Sequence, residues 1–291
     1  MTAVLAIDLG GTNLRAGLAA GDGVVPASLG RWPAPADLDA LVARVGALAA
    51  DSGITAIGFA VPGLVRGTTC VWVPNLPFLD GVDLATVFPD QRVVAGNDAQ
   101  FALVAEAAAG TAYDVRNAIL IAVGTGIGSA VLADGRILRG KGGAAASLGW
   151  ACADLGDAGD DAHGWLERVA SGTALDRIAA SVGATDGPML VGWARDGERK
   201  ALGALTAPMV ALGTALAGAI ALTGAELVIF AGGVADGLDV LGPLMRPAIV
   251  RHLPPHLRGV RLAAGQFGSG GALVGAGLAA HRHPVWSGAG S

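Results

Sequence analysis

Runs of consecutive aliphatic residues in this 291-residue chain alternate with stretches in which apolar residues recur every three or four positions. The consecutive runs predict buried strands at residues 3–7, 54–61, 92–95, 118–123 and 226–231. The longer spacing predicts helices at residues 36–50, 98–109, 167–180, 206–224 and 271–280. Strands that alternate with helices are typical of an α/β fold.

Two of the strands run into a glycine-rich turn and return as a second strand, which predicts β-hairpins and therefore mixed sheets. The first turn is Asp8–Asn13 (DLGGTN), before a strand at 14–19. The second is Gly124–Gly128 (GTGIG), before a strand at 129–133, and this repeats the plan of the first. A third glycine pair, at 232–233, also follows an apolar strand.

Glycine lets backbone N–H groups approach a ligand closely, so turns of this kind often hold phosphate oxygens. Tight hairpins also need glycine for their backbone, so one such turn alone does not indicate a ligand. None of the three is a Walker A loop, because no Lys-Ser or Lys-Thr follows it. Three turns that each follow an apolar strand favour a nucleotide held between two similar halves of the chain.

Charge and composition exclude several classes of protein. Nineteen basic and 24 acidic residues give a net charge of −5, and no run of Lys or Arg occurs, which argues against nucleic acid as a partner. Two cysteines, Cys70 and Cys152, cannot form a disulfide framework, so we expect a reducing, cytoplasmic setting.

A membrane protein has to be considered, because 53% of the residues are hydrophobic and residues 201–225 carry no charge. The larger residues of that stretch recur at helical spacing and form a single stripe, which predicts a buried helix of a soluble protein. The N-terminus shows no signal-peptide pattern. We therefore expect no membrane partner, and we expect the tail at 284–291 to be disordered.

Several short motifs occur in the order found in ROK-family sugar kinases, which the chain resembles over nearly its whole length. They are Asp8–Gly17 (DLGGTNLRAG), Pro62-Gly63, Pro74–Pro77 (PNLP), Gly96–Ala99 (GNDA), Gly124–Gly128 (GTGIG), Asp134-Gly135 and Gly164–Leu175 (GWLERVASGTAL). The resemblance implies an actin-like, hexokinase-type (ribonuclease H-like) fold with two domains around a cleft. It also implies ATP and Mg²⁺ as cofactors, phosphoryl transfer to a hexose, and a homodimer.

The domains expected from this resemblance are a smaller N-terminal domain at 1–117, on which 271–291 packs back, and a larger domain at 118–270. Domain closure should accompany phosphoryl transfer, since the sugar must outcompete water. Candidate hinges lie near 110–118 and 268–275.

By resemblance, Asp98 matches the catalytic base of the family. A carboxylate after a strand can accept the proton of an attacking hydroxyl, and Asn97 beside it can position that hydroxyl. Without the resemblance, Asp98 is more typical of a helix N-cap than of a catalytic base. The two roles use the same oxygens and can share them.

The resemblance also implies the nucleotide-binding residues, which are Gly10, Gly11, Thr12 and Asn13 in the first turn, Gly124, Thr125, Gly126 and Gly128 in the second, and Gly232 and Gly233 on the adenosine side. Asp8 is the candidate Mg²⁺ residue, acting through phosphate and water, since Mg²⁺ takes one or two carboxylates plus phosphate oxygens. Asp8 could instead satisfy N–H groups of its own turn.

On the sugar side, Gly63, Asn75, Asn97 and Glu167 match family positions, although Glu167 could be an ordinary acid of a first helical turn. Where the family reads Glu-x-Gly-His, this chain has Ser147-Leu148-Gly149-Trp150. Ser147 can make one hydrogen bond, and Trp150 can stack on a pyranose or belong to the core.

The family's zinc-binding cysteines are also missing. Cys152 and His163 are the only candidate ligands nearby, whereas structural zinc needs about four. We therefore expect no zinc, with Trp150 and Trp165 filling the lost site.

The sequence thus predicts an ATP-dependent kinase acting on the 6-hydroxyl of glucose or a related sugar. Loss of the Glu and His contacts keeps open an amino or modified hexose, a cyclitol, or a catalytically impaired sugar-binding protein. Polyphosphate remains open as the phosphoryl donor. A DNA-binding regulator is disfavoured, because the first strand begins at Ala3 and no basic recognition helix occurs.

Overall fold

Twelve strands form the sheets of the protein in a computed structural model, which describes residues 3–20, 24–50 and 53–287. They are β1 (Val4–Leu9), β2 (Asn13–Ala19), β3 (Ala27–Pro33), β4 (Ala56–Val61), β5 (Leu64–Arg66), β6 (Thr69–Trp72), β7 (Arg92–Asn97), β8 (Ala118–Val123), β9 (Ile127–Ala133), β10 (Arg136–Ile137), β11 (Leu227–Gly232) and β12 (Arg261–Ala264).

Eleven α-helices accompany the strands in the same described residues. They are α1 (Leu38–Ala50), α2 (Leu84–Val87), α3 (Asp98–Ala109), α4 (Trp165–Ala170), α5 (Gly172–Val182), α6 (Gly187–Arg195), α7 (Arg199–Thr223), α8 (Gly233–Asp236), α9 (Leu238–Arg251), α10 (Gly271–Ala280) and α11 (Pro284–Ser287).

The chain divides into two compact units. Unit 1 comprises Met1–Asp114, Gly135–Ala145 and Ser269–Ser291, and unit 2 comprises Val115–Asp134 and Ala146–Gly268. The sequence-based division at 117/118 stays a prediction. It differs from these units in assigning residues 115–117 to the first domain and residues 135–145 and 269–270 to the second.

Both units are built on one sheet plan. The order is β3-β2-β1-β4-β7 in unit 1, and the corresponding strands of unit 2 follow the order β9-β8-β11-β12. In each sheet the first strand of a hairpin pairs antiparallel with the second strand and parallel with a later one, β1 with β4 and β8 with β11. The predicted hairpins and mixed sheets of an α/β fold are therefore confirmed.

Helix α10 packs very closely on the sheet of unit 1, because the contact is made by small residues on both sides. A Cβ atom on Gly275 would lie 1.8 Å from the carbonyl oxygen of Phe101 in α3. A Cβ atom on Gly58 of β4 would lie 2.1 Å from the carbonyl oxygen of Ala276. Glycine at 275 thus lets α10 pack against α3, the helix that begins at Asp98.

Helix α7 is, among the described residues, the one helix long and apolar enough to cross a membrane. Its stripe is instead buried in the core of unit 2, as predicted. The side chains concerned are Leu205, Met209, Leu212, Leu216 and Ile220, which are all fully buried.

The prediction of a single helix at 167–180 was wrong, since the chain forms α4 and α5 with a break at Ser171. The backbone of Ser171 is extended, and its hydroxyl accepts the N–H of Ala174, so that Ser171 caps α5. The break lets Gly172 donate its N–H to the carbonyl oxygen of Gly124 at 2.7 Å. The N–H of Gly172 therefore bonds to a residue distant in sequence instead of to a carbonyl group of the preceding helical turn.

The expectation of disorder at 284–291 was wrong for residues 284–287, which form α11. Trp286 is buried there, and its ring meets Phe101 edge to face with 4.6 Å between the centroids. Burying one large aromatic side chain stabilises this short segment. The remaining four residues of that expectation lie outside the described residues.

Candidate functional site

In unit 1, the neighbouring parallel strands β1, β4 and β7 place polar residues at the sheet edge where their carboxyl ends lie. Asp8 pairs with Ala60 at the end of β1 and β4, and Val61 pairs with Asn97 at the end of β4 and β7. Ligands of open α/β sheets bind beyond the carboxyl ends of the strands. Asp8, Asn97 and Asp98 therefore share the edge where a ligand is expected.

Asn97 is the N-cap of α3. Its Oδ1 accepts the N–H groups of Ala99 at 3.0 Å and Gln100 at 3.4 Å, while its Nδ2 donates to the carbonyl oxygen of Gly63 at 3.2 Å. Asp98 is the first helical residue and accepts the N–H of Ala99 at 2.7 Å. The capping role foreseen for Asp98 is thus carried mainly by Asn97.

The environment of Asp98 raises the pKa of its carboxyl group to about 6. Burial is the main cause, and the negative charge of Asp8 adds to it, while the hydrogen bonds from Ala99 and Asn97 oppose it. A carboxylate with a pKa near neutrality can accept a proton from a hydroxyl and release it to solvent afterwards.

Asp8 is buried beside Arg15, whose Nε donates to Asp8 Oδ2 at 2.9 Å, and the two side chains form an ion pair. Burial raises the pKa of Asp8, and Arg15 opposes that rise. Asp8 is one carboxylate at a strand end, which fits Mg²⁺ only if phosphate oxygens and water complete the shell. Within residues 3–20, 24–50 and 53–287, no three His, Cys, Asp or Glu side chains form a metal-binding group.

The first glycine turn is closed by a hydrogen bond from Gly10 N–H to the carbonyl oxygen of Asn13 at 2.8 Å. The N–H groups of Gly11 and Thr12 donate to no group in the described part of the chain. A Cβ atom on Gly11 would lie 2.8 Å from Cβ of Asn75, so Asn75 packs directly against the turn. The turn therefore presents two free backbone donors.

In unit 2, the second and third glycine sites lie at the ends of adjacent parallel strands. Val123 of β8 pairs with Gly232 of β11, and Gly124 and Gly233 follow them. Gly232 has φ +73°, and a Cβ there would lie 2.4 Å from the carbonyl oxygen of Val123. Only glycine fits this close approach.

The second glycine turn is fixed from outside by α4 and α5. Glu167 Oε1 accepts the N–H of Ile127 at 2.8 Å, and Thr173 donates its hydroxyl to the carbonyl oxygen of Thr125 at 3.0 Å. The N–H groups of Thr125 and Gly126 have no acceptor among the residues described. Glu167, predicted to contact sugar, here positions the turn.

Beside these turns, unit 2 contains a cavity of about 210 Å³ with mostly apolar walls. Leu175, Pro188 and Val191 line it together with Gly172 and Gly233. Sequence reasoning found only Gly233 of this set. The sequence Asp186-Gly187-Pro188, in which Asp186 caps α6, was the local signal for a helix beside the site.

The segment around Ser147 also lies in unit 2. Trp150 is 43% exposed, so the expectation that it fills a lost zinc site as core was wrong, while Trp165 is partly buried against the core. The loop that follows Trp150 is held instead by Arg168 of α4, which donates two hydrogen bonds to the carboxylate of Asp157, at 2.8 and 2.9 Å. The absence of zinc remains a prediction.

Comparisons with known proteins agree with this arrangement. A sequence model of the ROK family matches residues 4–283. A kanosamine kinase from Amycolatopsis mediterranei is 30% identical over 255 residues, which cover 82% of this chain and 83% of the relative. An N-acetylmannosamine kinase from Salmonella heidelberg is 30% identical, with 95% and 97% covered.

Among solved structures, a ROK family glucokinase from Streptomyces griseus in complex with glucose and AMPPNP has a TM-score of 0.76 at 24% identity. The match covers 96% of this chain and 99% of that one. This likeness confirms the predicted actin-like, hexokinase-type fold.

Proposed function

Because the chain belongs to the ROK family and is a carbohydrate kinase, we propose that it transfers the γ-phosphoryl group of ATP to a hydroxyl group of a hexose. The observation that carries the proposal is the carboxylate of Asp98, which begins α3 at the sheet edge where a ligand is expected and whose pKa burial raises to about 6. We further propose a cytoplasmic enzyme, and the homodimer stays a prediction.

In the proposed reaction, the sugar hydroxyl oxygen attacks the γ-phosphorus, and the bond from that phosphorus to the β–γ bridging oxygen breaks as ADP leaves. Asp98 accepts the hydroxyl proton. Phosphoryl transfer needs little covalent help from the protein, so alignment and charge stabilisation supply most of the rate. Asn97 contributes by fixing the first turn of α3, and thereby the backbone of Asp98.

The nucleotide would be held by backbone donors and by shape. In unit 2, the free N–H groups of Thr125 and Gly126 suit phosphate oxygens. In unit 1, those of Gly11 and Thr12 are donors of the same kind. The apolar cavity beside Gly233 suits a purine base. Mg²⁺, when bound beside Asp8, would neutralise the phosphate charge.

The acceptor is proposed to be glucose or a related hexose, and an amino sugar is the second candidate. Ser147 and Trp150 replace the usual Glu-x-Gly-His, so the anion and imidazole of that motif are absent. The kanosamine and N-acetylmannosamine kinases among the relatives support an amino or acylamino group on the substrate. A cyclitol belongs in the same test.

The test is ADP release by the purified full chain with glucose, glucosamine, kanosamine, N-acetylmannosamine and myo-inositol, each with ATP or polyphosphate. We expect turnover with at least one hexose and ATP. Calorimetric binding of ATP and a sugar without any turnover would contradict the proposal and favour a catalytically impaired sugar-binding protein.

The pH dependence follows from the carboxyl group of Asp98. Because its raised pKa is about 6, the base is protonated and inactive below that pH. We expect kcat/KM to fall tenfold per pH unit on the acid side, with an apparent pKa near 6. If the acid side of the kcat/KM profile instead gave an apparent pKa near 4, the ordinary value of an aspartate, Asp98 would not be the base.

Substitutions of Glu167 separate its two proposed roles. Glu167→Ala leaves the N–H of Ile127 without its acceptor and should raise KM for ATP about tenfold, since an unpaired buried donor costs about 1–3 kcal/mol. Glu167→Gln keeps an oxygen acceptor and should stay near the wild type. A rise in sugar KM alone, in both variants, would instead assign Glu167 to the sugar.

A further inference from the structure

Unit 1 contains a cavity of about 360 Å³ that has no counterpart among the predicted site residues. Three arginines line it, Arg92, Arg139 and Arg282, together with the buried Trp286, small apolar side chains and Ser287. None of its lining residues is acidic. Such a concentration of positive charge is notable in a chain whose net charge is −5.

The three cavity arginines form no ion pair with any described residue, unlike Arg15, Arg116, Arg168 and Arg195, which each pair with an aspartate. What sets the three apart from the other unpaired arginines is that they line one cavity together. Guanidinium groups gathered without carboxylates leave several N–H donors available to an anion.

Two of the arginines are anchored by contacts that leave part of each guanidinium group free. Nη2 of Arg92 donates a hydrogen bond to the carbonyl oxygen of Ala280. Arg139 lies over the ring of Trp286, 4.5 Å from its centroid, and donates to the carbonyl oxygen of Trp286 at 3.3 Å. These contacts fix both side chains, so little conformational entropy is lost when an anion binds.

The arrangement also carries a cost that an anion would remove. Burial and the positive charge of Arg282 lower the pKa of Arg92, so the two groups repel one another. The backbone of Arg282, with φ +61°, belongs to the end of α10, where the N–H of His283 donates to the carbonyl oxygen of Leu278. An anion bound between the two guanidinium groups would offset their repulsion.

We propose that this cavity binds the phosphate group of a small phosphate monoester. Arginines favour phosphate because their planar groups can make paired hydrogen bonds to its oxygens. The volume lies in the range of small-molecule sites, and Trp286 supplies an apolar wall for the rest of the ligand.

The test measures binding of inorganic phosphate by calorimetry and by thermal shift, at constant ionic strength, with the full chain. Arg282→Gly removes one guanidinium group and suits the left-handed backbone, so it should fold well while binding phosphate at least tenfold more weakly. Arg139→Gln should weaken binding similarly. Arg136→Gln is the matched control, since Arg136 is exposed in the same segment but does not line the cavity.

We expect phosphate to raise the melting temperature of the wild type and of Arg136→Gln, but much less that of the two cavity variants. Acetate should bind more weakly than phosphate. Wild-type phosphate affinity in folded Arg282→Gly and Arg139→Gln would overturn the proposal, as would an equal loss in Arg136→Gln. The assay reads binding without turnover, and a saturating non-hydrolysable ATP analogue keeps phosphate from the proposed nucleotide turns, so its outcome is distinguishable from that of the proposed sugar kinase activity.

Discussion

Asp98→Asn is expected to lower kcat by about three orders of magnitude while changing sugar affinity less than about threefold. Asparagine keeps the size and can still accept the N–H of Ala99, but it cannot take a proton from the sugar hydroxyl. General base catalysis contributes about 10²–10⁴-fold, which sets this magnitude. Steady-state kinetics and calorimetric sugar titration measure the two quantities.

Asp37→Asn is the matched control, because Asp37 also accepts a backbone N–H at the start of a helix in unit 1. It should leave kcat unchanged. A kcat for Asp98→Asn within about tenfold of the wild type would show that another group takes the proton.

The Asp98→Asn variant should also be more stable than the wild type at neutral pH. The pKa of Asp98 is raised in the folded state, so folding penalises its charged form, and wild-type stability falls as pH rises from about 4 to about 6. Asparagine carries no such penalty and should gain roughly 1–3 kcal/mol at pH 7.5. An equal gap between the two melting temperatures at pH 4 and pH 7.5 would contradict this sign.

Gly275→Ala is expected to have the largest effect on stability. The new Cβ would lie 1.8 Å from the carbonyl oxygen of Phe101, so α10 and α3 must move apart. Overpacking typically costs about 1–3 kcal/mol, and a contact with rigid backbone on both sides places this variant at about 3 kcal/mol or more. Because α3 begins at Asp98, kcat should fall as well.

Gly218→Ala provides the control for helix propensity. Gly218 is exposed in α7, and a Cβ there meets nothing within 4 Å. Alanine should therefore stabilise it by about 0.5–1 kcal/mol. Urea denaturation of both variants measures the difference, and a Gly275→Ala protein as stable as Gly218→Ala would refute the close packing.

Much of this fold could be predicted because local patterns and tertiary packing agree. The strand, turn and strand of each hairpin carry their own signals, namely consecutive aliphatic residues and glycine at 10–11 and 124–128. Asn97 and Asp98 were placed correctly between β7 and α3, since a polar pair between a strand and a helix has few alternatives.

Other elements depend on contacts that spacing does not reveal. The break at Ser171 exists because Gly172 bonds to Gly124, which lies 48 positions earlier. The fold of residues 284–287 depends on Trp286 meeting Phe101. The part played by Glu167 was missed for the same reason, since its acceptor bond with Ile127 spans 40 positions.

The common strand order of the two sheets has an evolutionary consequence. Duplication and fusion of a half-length ancestor would leave two copies of one topology, with β7 and β12 as corresponding edge strands. Asp98 follows the first, whereas Gly265-Gln266 follows the second, so only one of the two copies carries a carboxylate at this position. Once two such copies are joined in one chain, each can change its strand-end residues without the other.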